Sequence, residues 1–379
     1  HDALPICPYG EALQTLLLTW FADLVLTTSE QPTRKRLLVT GLCGGLLLNA
    51  KLVYAPVLLI GLGCFWIAQR AQRIPQRLTA ILWAALGALP GLVLLCGHNY
   101  LKTGHPLRTG YQSGQLGLFA GDFFTGLFGL LLSPGRGLVF YAPAVLLALC
   151  GLPTALAAAR RTTTLVLLIC ISVTALSAKY PVWHGGFCYG PRYLVPIVPL
   201  LLLLAVPWLT ELWHRAPRRL FLAVGLTGSL GLSVSLLGCS LYWDHYCRVL
   251  AAVQRQALSP RFSEDHHPLG YFVPQFSPIV GHAWLLTHVL RHDPDLLRDP
   301  PWHKLLSGPL DLRDEQARLR LDLWTRDWLY GPQRRYGFGL LLLLSMGLGL
   351  SGVGLVRGLR AKSPLAGVRR SAVDGQADV

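Results

Sequence analysis

Long apolar runs separated by short polar turns make up most of the chain. About nine of them have the length and composition of helical passes, at roughly 12–28, 37–50, 52–68, 78–97, 138–158, 162–178, 194–210, 220–243 and 337–356. A full span needs about 20 apolar residues, so the adjoining runs 37–50 and 52–68 predict two short or tilted helices that meet at Asn49-Ala50-Lys51. Because lipid cannot satisfy backbone polar groups, the pattern predicts an all-α membrane protein, a multi-spanning helical bundle.

Basic residues are concentrated in every second turn between these runs. Sixteen Lys and Arg residues fall on that side, against six in the short segments of the other side. The positive-inside rule therefore predicts that the basic side, including the C-terminus, is cytoplasmic in a multi-pass protein of the cell (inner) membrane. The basic turns hold Arg34, Lys35, Arg36, Arg70, Arg73, Arg77, Arg160, Arg161, Arg215, Arg218 and Arg219, and the tail adds Arg357, Arg360, Lys362, Arg369 and Arg370.

The segment 244–336 differs from the other turns because it is long and polar. It carries 12 basic and 11 acidic residues, and WLLTHVL and LRLDLWTRDWLY within it predict amphipathic helices. We therefore expect a transmembrane core over 1–243, a small extracytoplasmic domain over 244–336, and a last helix with a basic tail over 337–379. The net charge of +15 then reflects membrane orientation, which argues against nucleic acid as a partner.

The stretch VWHGGFCYGPRY, residues 182–193, lies on the predicted outer side between two apolar runs. Its glycines allow tight turns, and the guanidinium of Arg192 suits a phosphate group. Trp183 and Tyr189 could stack on a sugar ring, and His184 could hydrogen-bond a hydroxyl or phosphate oxygen. The alternative is an interfacial turn with an aromatic belt, where Trp and Tyr are enriched.

Further cations fall on the same predicted side. Arg136 follows the turn Ser133-Pro134-Gly135 at the end of the Gly-rich outer loop 98–137, and Lys51 and Lys179 stand at the ends of apolar runs. Each is a candidate ligand for a lipid-borne phosphate. The alternative is that these side chains extend to lipid headgroups.

Two carboxylates belong to the first apolar run. Glu11 lies at its outer end, where it could complement the helix N-terminus, orient an acceptor or bind a cation. Asp23 lies about three turns deeper, and we expect it to face the bundle interior because a charge in lipid is costly. No Cys or His spacing typical of a metal site is evident.

The order of several motifs carries a resemblance. PYGEALQTLLL, GLCGGLLLNAKLVYAPVL, NYLKTGHPLRTGY, SPGRGLVFYAPAVLLALCGL and WHGGFCYGPRYLVPIVPLLLL follow one another over about residues 5–205, with SPIVGHAWLL matching more weakly beyond them. In this order the chain resembles the uncharacterised bacterial branch of the GT-C glycosyltransferases, the superfamily of protein mannosyltransferase-like integral membrane enzymes.

The resemblance implies a hexosyltransferase that passes a sugar from a polyprenyl-phosphate carrier to a glycan, lipid or protein acceptor outside the cytoplasm. Its usual catalytic carboxylate lies in the first outer loop. The chain starts with His1 and has Met346 as its single methionine, so we expect a piece of a larger protein with that base upstream of His1. Glu11 matches a later acidic position of the family. The resemblance leaves the need for a divalent cation open.

Two other classes of function remain open at this stage. A lipid-linked glycan ligase, polymerase or flippase would share interfacial arginines but would need a wider cavity. A transporter or a non-catalytic membrane scaffold would need no catalytic carboxylate in its outer loops.

Overall fold

A computed structural model describes residues 9–108, 119–186, 188–258 and 268–292, which all belong to one compact unit. Helices and their connections make up these residues, and no strand occurs among them. The α-helices are α1 (Tyr9–Glu30), α2 (Arg34–Ala50), α3 (Ala55–Ala68), α4 (Ile74–Thr103), α5 (Phe123–Leu132), α6 (Leu138–Tyr141), α7 (Leu146–Lys179), α8 (Val198–Arg215), α9 (Pro217–Ser240), α10 (Trp243–Leu258), α11 (Pro268–Phe272) and α12 (Pro278–Arg291).

Five helical stretches in the described part are long and apolar enough to cross a membrane. They are Gly10–Glu30, Ile74–Thr103, Pro143–Lys179, Arg192–Arg215 and Pro217–Ser240. These stretches identify the chain as an all-α membrane protein, as the sequence predicts. The predicted count of nine passes stays a prediction, and the predicted pass 337–356 lies outside the described residues.

The break predicted at Asn49-Ala50-Lys51 is confirmed. The chain leaves α2 at Lys51, which has an extended backbone (φ −168°, ψ 129°), and a 3-10 turn over Leu52–Tyr54 leads into α3. This turn brings α3 back beside α1, and α4 then runs parallel to α2. Lys51 therefore lies between two short apolar helices, directly after the end of α2 and shortly before the start of α3.

Glycines bring α2 and α4 into backbone contact. A Cβ atom added at Gly45 would lie 2.6 Å from the carbonyl oxygen of Ala88, and one at Gly91 would lie 2.6 Å from that of Gly45. The pair Gly41 and Gly45 thus acts as a small-residue packing motif between the two helices. The packing fixes the direction of α4, which continues past the end of α2 to Thr103.

The chain bends sharply inside α7. Ala159 has non-helical torsion angles (φ −150°, ψ 60°), and the hydroxyl of Thr163 donates to the carbonyl oxygen of Ala155 at 2.9 Å. In a straight helix, residues eight apart are separated by about 12 Å along the axis. The bend therefore divides α7 into two arms, which correspond to the predicted passes 138–158 and 162–178.

Two features differ from the sequence-based expectation. The region 98–137 was predicted as a Gly-rich outer loop, but it contains the apolar helix α5. A Cβ atom at Gly126 would lie 2.8 Å from the carbonyl carbon of Ala178, so α5 packs tightly on α7. At ten residues, α5 is too short for a pass and too apolar for a solvated loop.

Asp23 also differs from expectation, because it is exposed on α1 rather than turned into the bundle. The buried face of α1 is formed by Leu17, Leu18, Phe21 and Val25, which belong to the main core. A helical period of 3.6 residues places position 23 on the opposite face, beside the exposed Leu16 and Trp20.

The described part of segment 244–336 consists of α10, α11 and α12. WLLTHVL lies within α12 and is confirmed as helical, whereas LRLDLWTRDWLY lies outside the described residues. Tyr246, Val249 and Val253 of α10 share a small core with Leu285 of α12, and α12 also contacts α9. The described part of this segment thus packs on α9 of the helical core through α12.

Candidate functional site

Three glycines shape the loop that follows α7. Gly185, Gly186 and Gly190 have φ angles of 79°, 69° and 88°, which only glycine adopts without strain. A Cβ atom at Gly190 would also lie 2.6 Å from the ring of Tyr141. The tight turns that the sequence predicts at these glycines are therefore present, and the turns direct several loop carbonyl groups toward Arg136.

Arg136 is hydrogen-bonded to the backbone of this loop. Its guanidinium donates to the carbonyl oxygens of Cys188, of Gly186 at 3.1 Å and of Gly190 at 3.4 Å, and the side chain is buried. The carbonyl oxygens accept from the two terminal nitrogens of the guanidinium, whose donors are fixed in a planar fork, whereas its buried Nε atom has no hydrogen-bond partner among the described residues. These contacts support a positioning role for Arg136 rather than the predicted role as a phosphate ligand.

Trp183 and His184 also face the protein interior. The Trp183 ring packs so closely over Gly129 that a Cβ atom added there would strike the ring. The Nδ1 atom of His184 accepts a hydrogen bond from the backbone N–H of Gly186 at 3.2 Å and lies 2.8 Å from the hydroxyl oxygen of Tyr271. Both side chains are less than a tenth exposed. They anchor the loop to α11, so sugar stacking on Trp183 finds no support in its contacts.

Tyr189 is half-buried among other rings. It meets Tyr141 edge-on at 5.1 Å between centroids and His282 at 4.8 Å, and it lies over Gly238 of α9. Burial is the main cause that lowers the pKa of His282 to about 4, so this imidazole is neutral at pH 7. Tyr189 thus joins the loop to α9 and α12.

Among the predicted binding residues of this loop, Arg192 is the one whose contacts are compatible with binding an anion. It begins the 3-10 turn Arg192–Ile197, which leads into α8. Its Nε atom donates to the Oε1 atom of Glu11, although the two residues are 181 positions apart. The Arg192 side chain is 36% exposed and that of Glu11 is 13% exposed. The pair therefore leaves part of the guanidinium accessible.

Lys51 adds a second cation beside this pair. Its Nζ atom lies 3.9 Å from the ring centroid of Tyr193, a cation–π contact. Burial, the largest cause, and the charge of Arg192 together lower the pKa of Lys51 to about 8, although the charge of Glu11 acts in the opposite direction. Glu11, Lys51, Arg192 and Tyr193 form what we call the Arg192 cluster, with two cations and one carboxylate.

A buried hydrogen bond to α1 stabilises the backbone next to the cluster. Gln14, one turn after Glu11, accepts a hydrogen bond from the hydroxyl of Tyr54 at 2.8 Å, and both side chains are buried. This contact ties α1 to the 3-10 turn that follows Lys51. Sequence reasoning missed Tyr193, Tyr54 and Tyr271, and the adjacency of Tyr193 to Arg192 is the one signal that could have suggested a role.

Lys179 lies outside the contacts of the cluster. It is exposed at the end of α7, and its charge acts on Asp122. The pKa of Asp122 is lowered mainly by its hydrogen bonds to Thr125, which it caps at the start of α5, and secondarily by Lys179. The phosphate contact predicted for Lys179 stays a prediction, because no contact within the described residues joins Lys179 to the Arg192 cluster.

Comparison with known proteins finds no matching family, no matching curated protein and no matching solved structure. Within the described ranges, no group of three or more His, Cys, Asp or Glu side chains is arranged to hold a metal ion. The fold defines the class of the chain, a helical membrane protein. The chemistry of the Arg192 cluster is the basis for any more specific statement.

Proposed function

We propose that the chain transfers a sugar from a polyprenyl-phosphate carrier to an acceptor at the membrane face that holds the Arg192 cluster. The observation that carries this proposal is the convergence of Arg192 and Lys51 at the ends of apolar helices. A lipid carrier keeps its chain in the hydrocarbon and its phosphate at the membrane interface. The side chains that bind this phosphate must therefore be cations at the interface. Both cations are at least partly exposed.

The two cations and the carboxylate of the cluster have different roles in this reaction. The bond between the anomeric carbon and the phosphate oxygen breaks while the acceptor oxygen bonds to that carbon. Arg192 and Lys51 stabilise the negative charge that grows on the departing phosphate. The acceptor proton passes to a base. Glu11 is tied to Arg192, so it orients that guanidinium, and we assign the base to another group.

The first test is a binding and transfer assay on the full-length protein in vesicles. A polyprenyl monophosphate serves as the binding probe, and polyprenyl-phosphate mannose and glucose serve as donors for a hexosyl transfer assay. Arg192→Ala is expected to weaken probe binding about tenfold or more, because a hydrogen bond to a charged group is worth roughly 1.5–3 kcal/mol. Glu11→Gln should weaken it less, since the guanidinium remains.

Lys102→Ala is the matched control. It removes one exposed positive charge near the end of α4 and lies outside the Arg192 cluster. Equal loss in Lys102→Ala and Arg192→Ala would mean that the probe senses surface charge alone, which contradicts the proposal. Probe binding without hexosyl transfer, but with movement of the lipid between vesicle leaflets, would replace the transferase by a flippase or transporter.

A further inference from the structure

An open cavity lies where α8 passes into α9, away from the Arg192 cluster. Its volume is about 420 Å³, and it is lined by Trp208, Glu211, Leu212, Arg215, Ala216 and Arg219. Ala216 breaks the helix with torsion angles of −151° and 64°, and its N–H donates to the carbonyl oxygen of Leu212. This single-residue break brings the last turn of α8 and the first turn of α9 around one space.

The cavity lies at the end of the bundle opposite to the Arg192 cluster, which we call the basic end. Helix α1 begins beside Arg192 and ends at Glu30, and α8 begins just after Arg192 and ends at Arg215. Gln69 donates to the carbonyl oxygen of Ser29 at 2.6 Å, so the turn between α3 and α4 meets the same end. The basic turns that follow α1, α3 and α8 therefore lie at this end of the bundle.

The lining combines cationic and apolar groups. Arg215 donates to Glu211 at 2.6 Å through Nη1, and its side chain is 78% exposed. One carboxylate thus faces two arginines, which leaves a net positive charge in the cavity. Trp208 and Leu212 form its apolar wall. A planar guanidinium with spare donors next to an apolar wall suits a phosphate that is attached to a lipid.

The surface beside the cavity suits acyl chains. The rings of Trp213 and Phe221 pack across the Ala216 break with 6.2 Å between centroids. Along α9, Phe221 is 65% and Leu222 is 72% exposed, and the apolar window of this helix is only 6% buried. A phospholipid has an anionic headgroup followed by apolar tails. The basic cavity suits the headgroup, and the apolar face of α9 that continues from it suits the tails.

We propose that this cavity binds the headgroup of an anionic phospholipid, with Arg215 and Arg219 contacting its phosphate and the acyl chains lying on α9. Basic pockets between transmembrane helices on the cytoplasmic side bind anionic headgroups in this way. The apolar wall and the exposed α9 face favour a lipid over a free phosphate ion. The site is separate from the Arg192 cluster, so it does not depend on the proposed transferase activity.

The test is a lipid titration of the full-length protein in detergent, read by native mass spectrometry. Phosphatidylglycerol is the anionic probe and phosphatidylcholine the neutral one. We expect tighter binding of phosphatidylglycerol. A basic side chain near an anionic lipid contributes a factor of about five, so Arg215→Ala and Arg219→Ala should each lower the affinity about fivefold, and the double variant about 25-fold. Glu211→Gln should raise the affinity, because it removes the opposing charge.

The control removes two charges elsewhere at the basic end. Lys35 and Arg70 are exposed and lie outside the cavity, so Lys35→Ala with Arg70→Ala should leave phosphatidylglycerol binding within about twofold. An equal loss in this control, or equal binding of the two lipids, would overturn the proposal. Displacement of phosphatidylglycerol by millimolar inorganic phosphate would show a free-anion site and would overturn its assignment to a lipid.

Discussion

At the scale of single residues, Arg136 and Arg192 look alike in the sequence but have different environments in the structure. Arg136 is buried and bonded to three loop carbonyl groups, whereas Arg192 is partly exposed and paired with Glu11. Burial decides their roles, because a buried guanidinium must satisfy its donors within the protein. Arg136 shapes the loop, and Arg192 remains accessible to a ligand.

The two arginines should therefore respond differently to replacement. Arg136→Ala removes several charge-assisted hydrogen bonds in the interior and is expected to lower the free energy of unfolding by about 3 kcal/mol. Arg192→Ala breaks a partly exposed ion pair and should change it by less than about 1 kcal/mol. Denaturant unfolding of the purified protein in detergent measures both values. A larger loss for Arg192→Ala would contradict the assignment of the two roles.

Lys51 provides a pH signature for the Arg192 cluster. Its pKa is lowered to about 8, so the ammonium loses its charge as the pH rises through that value. The second ionisation of a phosphate monoester has a pKa near 6, so the probe itself changes little there. We expect the affinity for a polyprenyl monophosphate to fall about tenfold between pH 7 and pH 9.

The matched variant for this experiment is Lys51→Arg. Arginine stays charged over the whole range, so the affinity of this variant should not change with pH. A pH profile of equilibrium binding to vesicles compares the two proteins. If the native protein and Lys51→Arg decline in parallel above pH 8, a group other than Lys51 titrates.

At the scale of helices, backbone contact between α2 and α4 sets the geometry of the bundle. Gly41, Gly45, Gly87 and Gly91 let the two helices approach so closely that a side chain at any of them would strike backbone atoms. Transmembrane helices without a hydrophobic drive between them depend on such close packing. The contact holds α2, and with it Lys51 at the end of α2, in a fixed place.

A pair of glycine substitutions tests this packing. A Cβ atom at Gly41 would lie 2.8 Å from the carbonyl carbon of Ala84, whereas one at Gly97 would meet no atom within 4 Å. Gly41→Ala should lower the unfolding free energy by about 1–3 kcal/mol because the helices must separate. Gly97→Ala on α4 should be neutral or slightly stabilising. Equal effects of both variants would show that α2 and α4 do not pack in this way.

At the scale of the whole molecule, the alternation of basic turns predicts one orientation. Arg34, Arg70 and Arg215 lie at the basic end, and the Arg192 cluster lies at the other end. If the basic end is cytoplasmic, a fluorescent reporter protein that folds only in the cytoplasm should be bright when fused after Arg73 and dark when fused after His105. The reverse pattern of fluorescence in cells would invert the topology.

Much of this architecture could be predicted because it depends on local sequence. The apolar runs, the break at Lys51 and the turns at Gly185, Gly186 and Gly190 each follow from hydrophobicity or from the freedom of glycine. The class of the protein and the position of the glycine-rich loop were therefore accessible before the structure.

The remainder depends on contacts between distant parts of the chain. The pairing of Glu11 with Arg192 joins positions 181 apart, and the contact of Tyr271 with His184 joins positions 87 apart. No local pattern encodes such pairs. The exposed side of α1 at Asp23 was missed for a similar reason, because the core face of a helix is set by its neighbours and not by a single charge.

The most direct test of the account is a photo-crosslinking map. A polyprenyl monophosphate with a photoreactive group next to its phosphate is bound to the full-length protein in vesicles, and the crosslinked peptides are identified by mass spectrometry. The account predicts crosslinks at Lys51–Tyr54 and at Tyr189–Tyr193, which Arg192→Ala should reduce strongly. Crosslinks confined to other parts of the chain, or unchanged in Arg192→Ala, would contradict the claim that the Arg192 cluster binds the carrier phosphate.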